Sequence, residues 1–114
     1  MKIYLSGKVS DKTPELEEKN IEKFNSMTSF LRAVGLDICN PLEGEPRGDK
    51  WRNYLKRDLK KLMDCDAILL LRNWQDSPGA LLELHNAKKL GYKIYFLSSF
   101  NNLNELIAEL KMLG

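Results

Sequence analysis

Apolar positions along the chain alternate between two periods. Residues 2–6, Lys2-Ile3-Tyr4-Leu5-Ser6, form a short and mostly apolar run closed by Gly7, which predicts a strand. A polar turn over residues 8–12 follows. Thr13-Pro14 reads as an N-cap with proline in the first helical position. Leu16, Ile21, Phe24, Met27, Phe30, Leu31 and Val34 then recur at helical spacing until Gly35 stops them. Residues 36–39 predict a second strand, ended by Asn40-Pro41. Gly44, Pro46 and Gly48 mark residues 42–50 as a loop. Asp49 is positioned to cap a helix running to about Asp64, with Trp51, Tyr54, Leu55, Leu59 and Leu62 as its apolar contacts. Ala67-Ile68-Leu69-Leu70-Leu71 is unbroken by any polar residue, as expected of a strand covered on both faces. Residues 72–78 read as a loop, 79–90 as a helix ended by Gly91, and 94–97 as a fourth strand. Leu103, Leu106, Ile107, Leu110 and Leu113 form a last amphipathic helix.

Strands alternating with helices argue for one domain over residues 1–114, a three-layer, doubly wound parallel sheet of about four strands with the first strand central. Such sheets bind ligands beyond the carboxyl ends of their strands. That rule gathers Ser6-Gly7, Asn40-Pro41 and the 72–78 loop around one crevice.

Composition narrows the class of ligand. Lys and Arg total 18 against 16 Asp and Glu, a formal net charge of +2, which argues against a protein that coats nucleic acid polymers. Lys50, Arg52, Lys56, Arg57, Lys60 and Lys61 cluster, as a solvated helix face does. The two cysteines, Cys39 and Cys65, lie in apolar stretches without a CxxC, and His85 is the single histidine. A disulfide framework and a soft-ligand metal site are both disfavoured, and no cofactor is expected. The first seven residues are too short in apolar length for a signal peptide, and no run approaches the ~18 apolar residues of a membrane span, so a cytoplasmic location is the expectation.

Candidate chemistry concentrates near two loops. Gly7-Lys8 follows the first strand, where a glycine lets backbone approach a sugar or phosphate, although neither GxGxxG nor a Walker A motif is present. Asp76 or Ser77 is placed to cap the helix that begins near Pro78, and the amides of that N-terminus favour an anion. Glu83 follows about one and a half turns in. Its pattern among Leu81, Leu82, Leu84 and Ala87 fits a surface glutamate better than a crevice one. Were it inside, burial would raise its pKa and demand a partner. Asp58, Asp64 and Asp66 are candidates; Asp58 is equally suited to an ion pair with Arg57 or Lys61. His85, two residues beyond Glu83, falls on another helix face. No serine stands in a GxSxG setting. Trp51, Tyr54 and Trp74 are the aromatics available to stack a base or to pack the rim.

Taken in order, Ile3-Tyr4-Leu5-Ser6-Gly7, Asn40-Pro41, Trp51…Tyr54…Asp58…Cys65-Asp66 and Ser77-Pro78-Gly79-Ala80…Glu83-Leu84…Ala87…Leu90-Gly91 resemble the nucleoside 2-deoxyribosyltransferase-like superfamily, most of all a small phage and bacterial branch. The resemblance implies a flavodoxin- or Rossmann-like fold. It also implies a nucleophilic carboxylate at Glu83 that forms a glycosyl-enzyme intermediate, an assisting Asp58, and a Tyr4 that orients the nucleophile. Serine at position 77 is similar to the 2'-deoxynucleoside 5'-phosphate N-hydrolase branch, whereas an aspartate there marks transferases of free nucleosides, and Asp76 is one residue away. The implied activity is N-glycosidic cleavage, or transfer, on a (deoxy)nucleoside 5'-monophosphate. The implied substrate contacts are Ser6, Gly7, Lys8, Asn40, Trp51, Trp74, Ser77 and Gly79. A homodimer or larger oligomer is implied, with the 51–62 stretch as candidate contact and Ser98, Ser99 or Asn101 as the residue lent to a neighbour. The same fold kept only to bind or sequester a nucleotide-derived ligand is the other reading, and base and sugar specificity stay open.

Overall fold

The computed structural model describes residues 1–44 and 51–113, with the backbone alone for 51–53. Asp49 as a helix cap, the Pro46 and Gly48 turn, Lys50, and the side chains of Trp51 and Arg52 lie outside the described residues.

Strands β1 (Lys2–Ser6), β2 (Asp37–Cys39), β3 (Ala67–Leu70) and β4 (Lys93–Phe96) alternate with helices α1 (Pro14–Ala33), α2 (Trp51–Met63), α3 (Pro78–Lys89) and α4 (Leu103–Lys111). All pairings are parallel, in the order β2-β1-β3-β4, so β1 is interior as expected. The register sets Tyr4 beside Cys39 on one side and Ile68 on the other.

Alternation along β1 divides the core into two layers. Ile3 and Leu5 point to one face with Ile38 and Leu69, where Phe24 and Leu31 of α1 and Leu106 and Leu110 of α4 cover them. Tyr4 points to the other face with Ile68 and Leu70, under Leu62 of α2 and Leu84 and Ala87 of α3. Both faces of β3 are therefore buried, which is why its sequence is apolar without interruption.

The ends of the elements follow local chemistry. Thr13 accepts from the Leu16 amide at 3.2 Å and Pro14 opens α1. Gly35 adopts φ +93° after it, a conformation that a side chain would strain. The residues expected to be a plain loop before α3 contain a 3-10 turn, Trp74–Asp76, entered through Asn73 in the left-handed region at φ 71°.

Candidate active site

The centre of the site is a buried carboxylate. Glu83 lies in the second turn of α3, and Leu84 and Ala87 anchor the same helix against β3. The surface position that its flanking leucines suggest is not where it stands: Glu83 is 5% exposed. The reason is visible on β1, which offers two hydroxyls at its carboxyl end. The Ser6 hydroxyl donates to Glu83 Oε1 at 2.7 Å, and the Tyr4 hydroxyl donates to Glu83 Oε2 in a short hydrogen bond. With both oxygens satisfied, burial is tolerable.

Burial pushes the Glu83 carboxyl up to about 7, against the pull of the Tyr4 and Ser6 hydrogen bonds and with help from the charge of Asp58. The Tyr4 hydroxyl is raised as well, first by burial and then by Glu83 and Asp58. Such a carboxylate is held in one orientation and changes charge near neutrality.

Glu83 forms part of the wall of a cavity of about 680 Å³. Gly7, Val9 and Ser10 line it after β1; Glu17, Ile21 and Asn25 line it from α1; Tyr54, Leu55 and Asp58 line it from α2. The 3-10 turn and the start of α3 complete it with Asp76, Ser77, Pro78, Gly79 and Ala80. Ser77 caps α3, its hydroxyl oxygen accepting from the Ala80 amide at 3.1 Å, which leaves its own proton for a ligand. The cavity therefore brings together Glu83, Asp58, Gly7, Ser77 and Gly79, with Tyr4 behind Glu83.

Several residues expected at the ligand stand elsewhere. Ser6 is spent on Glu83 and does not line the cavity. Lys8 turns to the far side of the first loop, pairs with Asp11 at 3.7 Å and lines a separate groove beside α1. Asn40 is buried, its amide donating to Asn25 at 3.2 Å and its oxygen accepting from the Leu42 amide at 3.0 Å. Trp74 packs on Phe96 with ring centroids 5.2 Å apart. Among the described residues the aromatic that lines the cavity is Tyr54, with the Arg57 guanidinium 5.4 Å from its ring centroid. Gly7 is small for packing reasons also: a Cβ there would meet Leu71 Cβ at 3.2 Å.

Sequence reasoning missed the α1 wall. Ile21 was legible as part of the apolar stripe, and Glu17 and Asn25, four residues to either side, share its face. His85 is exposed, on the face of α3 away from Glu83. Of the basic cluster, Lys56 and Lys60 are solvated, whereas Lys61 donates to the Pro41 carbonyl at 2.9 Å. Among the described residues no cluster of three or more ligating side chains could hold a metal, and no helix is long and apolar enough to cross a membrane.

A family model described as "Domain of unknown function (DUF4406)" matches residues 1–96. The chain belongs to this family. No curated protein matches it. Solved structures share the fold at low identity. A 2-deoxyribosyltransferase from Bacillus psychrosaccharolyticus superposes with a TM-score of 0.61 at 19% identity, over 84% of this chain and 71% of that one. A 2-desoxiribosyltransferase from Leishmania mexicana gives 0.61 at 19%, over 83% and 62%. The CMP N-glycosidase BcmB of Clostridium botulinum gives 0.57 at 17%, over 96% and 82%. The family thus carries the fold of 2-deoxyribosyltransferases and of a nucleotide N-glycosidase, in a chain spanning less than two thirds of the Leishmania enzyme.

Proposed function

We propose that the protein cleaves the N-glycosidic bond of a (deoxy)nucleoside 5'-monophosphate, with Glu83 as nucleophile. The observation that carries this reading is the buried Glu83 carboxylate, oriented by Tyr4 and Ser6 and set in the wall of the cavity. In its ionised form Glu83 attacks the anomeric carbon and forms a glycosyl ester while the bond to the base breaks. Asp58, on the same cavity, is assigned the proton that the departing base takes up, and later the activation of the water that hydrolyses the ester. The Tyr4 and Ser6 hydrogen bonds, one to each oxygen, hold the carboxylate in one orientation and leave each oxygen a further lone pair for attack. The Ser77 hydroxyl and the amides opening α3 are assigned the phosphate. Tyr54 is assigned the base, by stacking worth roughly 1–3 kcal/mol. The fold shared with a CMP N-glycosidase and with 2-deoxyribosyltransferases supports both hydrolysis and transfer as outcomes of one intermediate.

A second reading has its own observation. Glu17, Asp58, Asp76 and Glu83 all line the cavity, and no Lys or Arg does among the described residues. That charge opposes a phosphate dianion and favours a neutral nucleoside, with Asp76 on a sugar hydroxyl. Paired substrates decide between them: each nucleoside and its 5'-monophosphate are incubated with the protein and free base is followed by chromatography. Release from the monophosphates alone supports the phosphate assignment, and release from the nucleosides alone replaces it. Tight binding by calorimetry with no base released from any member makes the protein a sequestering one and removes Glu83 as nucleophile.

A further inference from the structure

Glu17, Ile21 and Asn25 line the cavity from α1, spaced so that they share one face of the helix. Asn25 differs from its neighbours on that face: its amide is oriented by a chain of hydrogen bonds that begins outside the cavity. The first donor is main chain. The Leu42 amide donates to the Asn40 side chain at 3.0 Å, and a backbone N–H can only donate, so the atom it meets is Asn40 Oδ1. The other end of that side chain is Nδ2, which donates to Asn25 at 3.2 Å, so the receiving atom is Asn25 Oδ1. One orientation is left for Asn25. Its oxygen is turned to Asn40, and its Nδ2 has no protein partner among the described residues.

The anchor of this chain is firm. Asn40 is 3% exposed, and the Glu43 amide closes a turn on its carbonyl at 3.2 Å. Arg32, further along α1, donates to the Ile38 carbonyl at 2.8 Å and pairs with Glu43 at 2.6 Å, which ties the helix to that turn. Asn25 itself is exposed and lines the cavity. A donor held in one orientation in a cavity wall is selective. It accepts contact with a carbonyl oxygen and opposes an amino group, whose hydrogens meet its own.

We propose that Asn25 is a specificity-determining residue of the site, its Nδ2 donating to a carbonyl oxygen of the base at the ring position where oxo and amino bases differ. Asn40 is a positioning residue that decides which end of the Asn25 amide faces the ligand. Given the nucleoside or nucleotide site proposed above, on which this assignment rests, uracil and hypoxanthine are favoured over cytosine and adenine. A ring stacked on Tyr54 of α2 presents its edge to the walls beside it, and α1 supplies one of them. Attack by Glu83 on the sugar needs nothing from Asn25.

The test uses the full chain carrying Glu83→Gln, so that no ligand is consumed, and calorimetric titration with matched pairs. The pairs are uridine with cytidine and inosine with adenosine, each as nucleoside and as 5'-monophosphate. The oxo member is expected to bind more tightly by about tenfold or more. Asn25→Asp keeps one oxygen for Asn40 and turns the other, an acceptor, to the ligand, so it inverts the preference. Asn40→Asp offers acceptors only. Asn25 then turns Nδ2 to it and Oδ1 to the cavity, and the preference inverts with no change in any residue that lines the cavity. Thermal melts accompany both variants, and Asn25→Asp, at an exposed position, carries the test alone if buried Asn40→Asp does not fold. Equal affinity for the two members of every pair, or an oxo preference that survives Asn25→Asp, overturns the proposal; a merely structural Asn25 weakens both members alike. Base release by the wild type is read separately. Release without an oxo preference leaves the glycosidase reading standing and removes this one. An oxo preference without release from any substrate does the reverse, and binding of no member removes both.

Discussion

A carboxylate that titrates near neutrality inside the protein has consequences for both stability and rate. The folded-state pKa of Glu83, about 7, lies above the ordinary glutamate value of 4.5. Between those values the folded protein binds more protons than the unfolded chain, so this group's contribution is complete below about 4.5 and is lost as pH rises through about 7. The span corresponds to roughly 3 kcal/mol. Glu83→Gln removes the ionised form while the Tyr4 and Ser6 hydroxyls can still be satisfied. Urea unfolding is expected to show this variant more stable than wild type at pH 8 by about 1–3 kcal/mol, with the difference shrinking toward pH 5; a difference independent of pH contradicts the burial argument. The rate has the opposite dependence. In the proposed reaction only ionised Glu83 attacks, so kcat/KM is expected to climb about tenfold per pH unit below about 7 and to level above it. A profile flat from pH 5 to 8 would show that Glu83 is not the titrating group.

At the scale of elements, α3 does two jobs: its start lines the cavity and its second turn carries Glu83. Gly79 separates these roles. A Cβ there meets nothing nearer than Ser77 Oγ at 3.9 Å, so Gly79→Ala fits, and alanine favours the helix by about 0.5–1 kcal/mol. In the proposed site the methyl would nevertheless intrude where a phosphate or sugar is assigned to the amides. Expected is an unchanged or raised Tm with ligand affinity by calorimetry weakened about tenfold or more; undiminished affinity removes the α3 N-terminus from the ligand site. The same helix shows how far the sequence is legible. Its start was readable because Ser77-Pro78 is local capping chemistry, and β3 because five apolar residues in a row need cover on both faces. Glu83 was not readable from periodicity, because what buries it is a pair of hydroxyls from β1, 77 and 79 residues away in sequence. Only the resemblance to the deoxyribosyltransferase-like proteins singled it out. For Lys8, Asn40 and Trp74, proximity to a strand end fixed the neighbourhood, not which way each side chain turns.

For the whole molecule, the sheet order places the ends of β1 and β3 beside each other, and the cavity opens beyond them between α1, α2 and α3. The apolar stripe of α2, expected as a contact between copies, is committed inward: Tyr54 and Leu55 line the cavity, while Leu62 is buried and Leu59 packs against the core. Large apolar side chains still exposed include Phe30 at 41% and Leu103 at 36%, both lining the groove that also holds Lys8. A homodimer or larger assembly remains the proposal for the intact protein. Sedimentation velocity at micromolar concentration is expected to give at least twice the 13.2 kDa chain mass, and a monomer contradicts it.

The measurement that bears most directly on the central claim is release of free base by the wild type beside Glu83→Gln. The amide is nearly isosteric and cannot form a glycosyl ester. The account predicts retained fold and ligand affinity with turnover reduced on the order of a thousandfold or more, while exposed His85→Ala leaves turnover unchanged. Undiminished base release by Glu83→Gln would contradict it.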